Sequence, residues 1–256
     1  MQRIVITGAS SGIGQALALR YAAEGTSLGL LARDRERLNA VAEQCRARGA
    51  EVRLATIDAT ARSEMAAWLQ DFDHEAPIDI LVANAGMLAG IEPYQNLEDG
   101  ESSYRLMETN VLGVLNTIHP LLPAMLNRRS GHLVIVSSVA GFLPLPSMPS
   151  YSASKSAVLN YGLALRAGLR ASGVRVSVVC PGYVEGPMTA QIRGATPFLV
   201  SATDAAERIH CGIAADKAII AFPWFFALFL RVLGGLPDSL RSRLLSLSSF
   251  RVSRRM

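Results

Sequence analysis

The sequence predicts an α/β fold, a doubly wound, seven-stranded parallel sheet with helices on both faces. Three observations carry that prediction. Short apolar runs alternate with longer helical patterns over residues 1–222. Several of those runs, such as Ile80-Leu81-Val82-Ala83 and Leu133-Val134-Ile135-Val136, are apolar at successive positions, as strands buried on both faces must be. Glycines crowd the turn after the first run, where a parallel sheet of this kind reverses into a helix.

The elements follow in order. A strand at Arg3–Ile6 leads to a helix from Gly12 to about Glu24, then a strand at Ser27–Ala32 and a helix from about Asp34 to Arg48. The alternation continues through strand Glu51–Thr56, a helix near Ser63–Phe72, strand Ile78–Ala83, one long helix from about Glu101 to Arg128, and strand His132–Ser137. A helix over about Tyr151–Ala171, strand Val174–Val179, a helix near Ala205–Ala215 and strand Lys217–Phe222 complete the set. No repeat or linker divides the 256 residues, so a single domain is expected, with 1–222 as its body and 223–256 as an apolar and basic C-terminal extension.

Composition narrows the function classes. The N-terminus has no apolar core of signal-peptide length, so no export is implied and a cytoplasmic chain is expected. Cys45, Cys180 and Cys211 are odd in number and far apart, which fits reduced, buried thiols better than a disulfide framework or a zinc site. His74, His119, His132 and His210 lack metal-ligand spacing, and no metal is expected. The net charge of +4 is modest and concentrated at the C-terminus, which argues against a nucleic-acid partner.

The first turn reads Thr7-Gly8-Ala9-Ser10-Ser11-Gly12-Ile13-Gly14. At the carboxyl end of a strand, such glycines let a pyrophosphate approach main-chain N–H groups while the helix N-terminus supplies partial positive charge. The second strand ends Leu31-Ala32-Arg33-Asp34, where a fold that selects NAD usually carries a carboxylate for the ribose 2′-hydroxyl. A guanidinium there suits a 2′-phosphate, so NADP(H) is expected over NAD, with Asp34 read as a helix N-cap.

Tyr151 and Lys155 stand four residues apart and therefore on one helix face. A neighbouring ammonium stabilises a phenolate, which suits acid/base work. Ser138, just past a strand, is placed to bond a substrate carbonyl oxygen.

With these motifs the chain resembles the short-chain dehydrogenase/reductase family, in its compact single-domain branch, from residue 1 to about residue 222. The resemblance rests on the glycine turn, Asn84-Ala85-Gly86 after the fourth strand, the spacing of Ser138, Tyr151 and Lys155, Pro181-Gly182 after the sixth strand, Asp58 after the third, and Asn110 in the long helix. It implies a Rossmann-type oxidoreductase in which Tyr151 protonates the carbonyl oxygen, Ser138 polarises it, Lys155 lowers the Tyr151 pKa, and Asn110 holds a water leading from Lys155 to solvent. It further implies cofactor contacts at Gly8, Ser10, Ser11, Gly12, Ile13, Gly14, Arg33, Asp58, Asn84, Ala85, Gly86, Pro181, Gly182 and Val184, besides Tyr151 and Lys155. One departure stands out. Gly186 occupies a position where the family often has a threonine that bonds the carboxamide, so altered cofactor affinity is expected. Relatives pair the long helix and the Tyr-bearing helix between subunits, which implies a homo-oligomer, dimer or tetramer. The recurring Met107, Met125 and leucines of the long helix are read as core or subunit interface.

Met87-Leu88, Phe142-Leu143-Pro144-Leu145-Pro146 and Phe198-Leu199-Val200 are expected around the nicotinamide, which points to a lipophilic ketone, aldehyde or alcohol. Beyond Phe222 the chain is aromatic-rich, broken by Pro223, Arg231, Gly234 and Gly235, and too short to span a bilayer. Leu240, Leu244 and Leu247 then form a stripe among Arg241, Arg243, Arg251, Arg254 and Arg255. This tail supports two readings, peripheral attachment to anionic membrane or packing over the cleft or subunit interface. A non-catalytic NADP-binding sensor or scaffold on the same fold is the functional alternative.

Overall fold

The computed structural model describes residues 1–91, 97–245 and 251–252, apart from the side chains of 193, 245, 251 and 252. Leu247, Arg254, Arg255 and the Arg251 side chain lie outside the described residues. The elements are β1 (Gln2–Thr7), α1 (Gly12–Tyr21), β2 (Thr26–Ala32), α2 (Arg35–Arg46), β3 (Glu51–Thr56), α3 (Arg62–Glu75), β4 (Ile80–Ala83) and α4 (Gly100–Met107). After a π-helical turn at Glu108–Leu112 come α5 (Gly113–Ile118), α6 (Leu122–Arg128), β5 (Gly131–Val136), α7 (Pro149–Gly168), β6 (Val174–Pro181) and β7 (Ile192–Arg193). α8 (Ala202–Ala214), β8 (Ile219–Phe222), α9 (Trp224–Gly234), α10 (Asp238–Leu245) and β9 (Arg251–Val252) follow.

Seven parallel strands form one sheet in the order β3-β2-β1-β4-β5-β6-β8, and β7 and β9 make a short antiparallel pair beside it. The winding reverses between β1 and β4, which opens a crevice at the carboxyl ends of those two strands. Strand pleat sends successive side chains to opposite faces, so Ile4, Ile6, Leu28 and Leu30 meet α1, α2 and α8 on one side. Val5, Leu31, Leu81 and Leu133 meet α3, α5 and α7 on the other. The continuous apolar runs of the sequence thus serve two cores at once.

The single helix expected over about Glu101–Arg128 is three helices. Pro120, between α5 and α6, has no N–H to give Asn116 and its ring clashes with that carbonyl, so the helix breaks there. Upstream, the π-helical turn at Glu108–Leu112 widens the backbone around Asn110. The thiols also need a correction. Cys45 and Cys180 are buried, but Cys211 is exposed, because it lies on the outer side of α8 with its Sγ beside the Glu207 carboxylate at 3.3 Å.

His132 is fully buried at the start of β5. Ser177 Oγ donates to the Lys217 carbonyl at 2.6 Å, so it accepts from His132 Nε2–H at 2.9 Å, and Nδ1 has no partner among the described residues. Burial, helped by Arg175, pushes the His132 pKa down to about 4. The unfolded imidazole takes a proton below 6.5 while the folded one stays neutral to about 4, so stability falls as pH drops through that window, by up to about 3 kcal/mol. His132→Gln is expected to flatten this acid dependence, as read by urea unfolding at stepped pH.

Candidate active site

The glycine turn is shaped by glycine's freedom at two positions and by a close approach at a third. Gly8 and Gly12 adopt φ of 67° and 54°, where a side chain is disfavoured. A Cβ on Gly14 would lie 2.2 Å from the Gly8 carbonyl oxygen, so only glycine lets α1 begin so near β1. Asn84 clamps the turn to β4, with Nδ2 donating to the carbonyls of Thr7 at 2.9 Å and Gly8 at 3.2 Å. Thr7 Oγ1 accepts from the N–H groups of Asn84 and Ala85, each at 3.1 Å. Ser11 sits at the N-cap of α1 without a side-chain capping bond, leaving the first-turn donors aimed into the crevice for an anion.

At the end of β2 the Asp34 carboxylate accepts from Arg37 N at 3.0 Å and from Arg37 Nε at 2.6 Å, so it caps α2. Arg33 lies two-thirds exposed at the rim, 3.6 Å from Asp58. Burial pushes the Asp58 carboxyl up, but bonds from Thr60 N and Oγ1 and the Arg33 charge outweigh it and hold it below its ordinary value. Arg37, which spacing alone did not single out, also lines the cleft and brings a second guanidinium to this end. Its signal was its position three residues after the Asp34 N-cap, in the first turn of α2 close to the end of β2.

The chemistry-bearing residues meet at the other end of the cleft. Tyr151 is buried near the start of α7, and burial raises its phenol pKa while a hydrogen bond with Ser138 pulls the other way. Ser138 follows β5 as N-cap of the short turn Val139–Phe142, its Oγ accepting from Ala140 N at 3.1 Å. Lys155 is buried with its pKa lowered to about 8 by desolvation. Its Nζ donates to the Val136 carbonyl at 3.2 Å and stands 5.8 Å from the Tyr151 ring centroid. Within the chain alone, then, burial governs the phenol, and the expected lowering by Lys155 is not among its influences.

Asn110 and Gly14 lie behind the cleft surface, whereas the other expected site residues line it. Asn110 is 1% exposed. Its Oδ1 accepts from Met87 N at 2.8 Å, and Nδ2 donates to Met87 O at 3.0 Å and Ser154 Oγ at 3.1 Å. These bonds tie the segment after β4 to α7. Ser154, which sequence reasoning passed over, donates onward to the Tyr151 carbonyl at 2.8 Å, so the π-helical turn is coupled to α7.

The cleft volume is about 1900 Å³. Small-molecule pockets run to roughly 1,000 Å³, so this one has room for a dinucleotide and a second molecule beside it. Leu88, Phe142 to Pro149, Met188 and Ile192 make its inner wall. Met87 contributes backbone to Asn110, and Phe198-Leu199-Val200 does not reach the cleft. Val200 pairs with the backbone of Tyr183 and Glu185, and Phe198 stacks edge-on against Phe225 outside. The wall expected from that segment comes instead from Phe226, Phe229, Leu230 and Leu233 of α9. α9 is seated on the turn after Ser138, for a Cβ on Gly234 would lie 2.1 Å from the Phe142 carbonyl oxygen. Near Gly186 a Cβ would meet only Gly12 Cα, at 3.4 Å, and the nearest threonine, Thr189, turns its hydroxyl to the Val184 carbonyl at 2.5 Å.

The chain is similar to known proteins over most of its length. Residues 2–196 match the family model described as short chain dehydrogenase. An uncharacterized oxidoreductase of Myxococcus xanthus is 37% identical over 237 residues, covering 92% of this chain and 93% of that protein. A short-chain dehydrogenase from Sphingobium yanoikuyae in complex with NADPH has a TM-score of 0.81 at 29% identity, over 97% of both chains. A short chain dehydrogenase/reductase from Burkholderia phymatum in complex with NAD has a TM-score of 0.80 at 28% identity, over 90% of this chain and 92% of that one. Sheet order, glycine turn, Ser138, Tyr151 and Lys155 and these matches agree: the chain belongs to the short-chain dehydrogenase/reductase family of oxidoreductases.

Proposed function

We propose that the protein is an NADP(H)-dependent oxidoreductase that moves a hydride between the nicotinamide and a lipophilic carbonyl or alcohol, with Tyr151 as general acid/base. The observation that carries the reading is the meeting of Ser138, Tyr151 and Lys155 at the apolar end of a cleft whose other end is a phosphate-suited glycine turn. The glycine cradle at Gly8, Gly12 and Gly14 and the donors of α1 fit a pyrophosphate. Asn84, Ala85, Gly86, Pro181, Gly182 and Val184 form the floor on which the nicotinamide half would lie, and Lys155, lining the same cleft, would bond its ribose. When bound, the nicotinamide supplies or accepts the hydride.

The chain supplies position and a proton. In the reducing direction the Ser138 hydroxyl donates to the carbonyl oxygen, and Tyr151 Oη gives that oxygen its proton as the carbonyl π pair moves onto it. The raised phenol pKa keeps that proton on Tyr151 at neutral pH, which suits reduction. Lys155 supplies the positive charge that offsets the phenolate left behind. Asn110 and Ser154 act through position, holding α7 against the segment after β4. The apolar wall of Leu143, Leu145, Met148, Phe226 and Leu230 excludes water and favours a lipophilic substrate.

NADP(H) preference rests on Arg33 and Arg37 at the rim and on Asp34 being committed to α2. Arg33→Ala is expected to raise the NADPH Kd about 10- to 100-fold and to leave NADH within about threefold, since only the 2′-phosphate loses a charge-assisted bond. Fluorescence titration with both cofactors checks it; equal losses for both would remove the argument. A homo-oligomer belongs to the same reading, with Tyr104, Met107 and Leu112 as exposed apolar positions along α4 and the π-helical turn, as does a cytoplasmic location. The reading as a whole is tested by NADPH oxidation with a panel of lipophilic ketones and aldehydes. Turnover supports it, and tight NADPH binding without turnover in either direction favours a sensor.

A further inference from the structure

We infer that α9 is a docking face for an anionic lipid bilayer, lying in the membrane surface with the mouth of the cleft at that surface. α9 is apolar nearly all round, yet it sits on the outside of the fold. Ala227 and Leu233 bury toward the body, and Phe226, Leu230 and Leu233 line the cleft. At 100° per residue, Trp224, Phe225, Leu228, Phe229 and Val232 sweep an unbroken arc of roughly 140°. All five are exposed, Trp224 at 71%. Phe198 and Leu199, also exposed, extend the patch, with Phe198 edge-on to Phe225 at 4.9 Å between centroids. A surface of this kind marks an interaction site.

Charge selects the occupant. The chain carries 25 basic and 21 acidic residues, and residues 223–256 hold six of those arginines and a single acid, Asp238. Residues 1–222 are therefore one unit negative, and the whole positive excess belongs to the segment bearing the apolar face. Arg231 stands at the edge of the arc, next to Trp224 in projection, as a cation does beside an interfacial aromatic. Arg231, at the rim of this face, is complemented by anionic headgroups. No helix among the described residues is long and apolar enough to cross a membrane, so the geometry is that of a helix lying on the surface.

Phe229 and Val232 are both exposed and part of the cleft lining, so the docking face and the cleft mouth share side chains. Delivery of a lipophilic substrate from the bilayer follows, and that consequence alone rests on the function proposed above; the docking does not. The test is flotation of the full-length chain, with NADPH present, on phosphatidylcholine vesicles with and without phosphatidylglycerol. At least about tenfold more bound protein is expected with the anionic vesicles, falling as salt is raised. Trp224→Asp with Leu228→Asp, neither of which lines the cleft, is expected to abolish flotation while the thermal melt is kept. A Trp68→Phe chain, in which Trp224 is the sole tryptophan, is expected to shift its emission to the blue on adding anionic vesicles, without relying on that double variant folding. The proposal is overturned if anionic vesicles neither float the chain nor shift Trp224. It is equally overturned if the double variant converts a larger solution species to a smaller one with no lipid present, for then a second copy covers the face. Because these readouts need no turnover, a failure here and a failure to reduce any carbonyl are separate results.

Discussion

Tyr151→Phe is expected to lower kcat for carbonyl reduction by about 10²- to 10⁴-fold while leaving NADPH affinity within a few fold. The change removes one oxygen. The ring keeps its place because its neighbours are apolar: Leu88, Leu106, Ala140 and Met148 form the small core cluster in which it sits. What is lost is the proton delivered to the substrate oxygen and the partner of the Ser138 hydroxyl. Fold and cofactor cradle lie on other elements, so the melting temperature and NADPH titration serve as controls. Retained turnover in Tyr151→Phe would remove Tyr151 from the acid/base role. Loss of NADPH binding along with turnover would show that the ring supports the cofactor more than the chemistry.

Gly14→Ala is expected to raise the NADPH Kd by about 100-fold or more and to destabilise the fold by about 1–3 kcal/mol. The added carbon would lie 2.2 Å from the Gly8 carbonyl oxygen and 2.6 Å from Asn84 Nδ2. Neither can retreat cheaply, because Gly8 is turn backbone and Asn84 is held by two bonds to it. The turn itself must therefore move, and with it the N–H groups that face the pyrophosphate. Gly12→Ala makes the contrast. Its Cβ would meet nothing within 4 Å, so only the backbone cost of φ at 54° remains, roughly 1–2 kcal/mol. Titration of both variants with NADPH separates steric closure of the cradle from simple strain; equal Kd values would show that the Gly14 contact is not what shapes the cradle.

The sheet was legible in the sequence because its signal is local and repeated. Ile80-Leu81-Val82-Ala83 or Leu133-Val134-Ile135-Val136 can only be buried on two sides, and glycine at 8, 12 and 14 announces where the chain turns. The residues of the site were legible for a related reason: Tyr151 and Lys155 lie within one turn of one helix, and Ser138 at the end of one strand. What escaped was set by packing between distant segments. Nothing near Phe198 in the chain tells that it faces Phe225 outside the cleft, or that α9 supplies the wall in its place. The π-helical turn escaped because a single such turn keeps apolar residues at spacings that an α-helix also allows. The hydrogen-bond partners of the Asn110 amide, Met87 and Ser154, are 23 and 44 residues away.

That wide turn also sets the phase of everything after it. Closing a ring over five residues where the flanking helices use four lodges one surplus residue between α4 and α5. Deleting it would let the helix run on regularly, but would rotate one half against the other by about 100°. If α4 kept its seat, Val114, Thr117 and Ile118 would swing out of the core they now fill. If α5 kept its seat, Asn110 would swing away from Met87 and Ser154. A shortened chain could preserve its interior or the tether to α7, and the one surplus residue is what frees this chain from that choice.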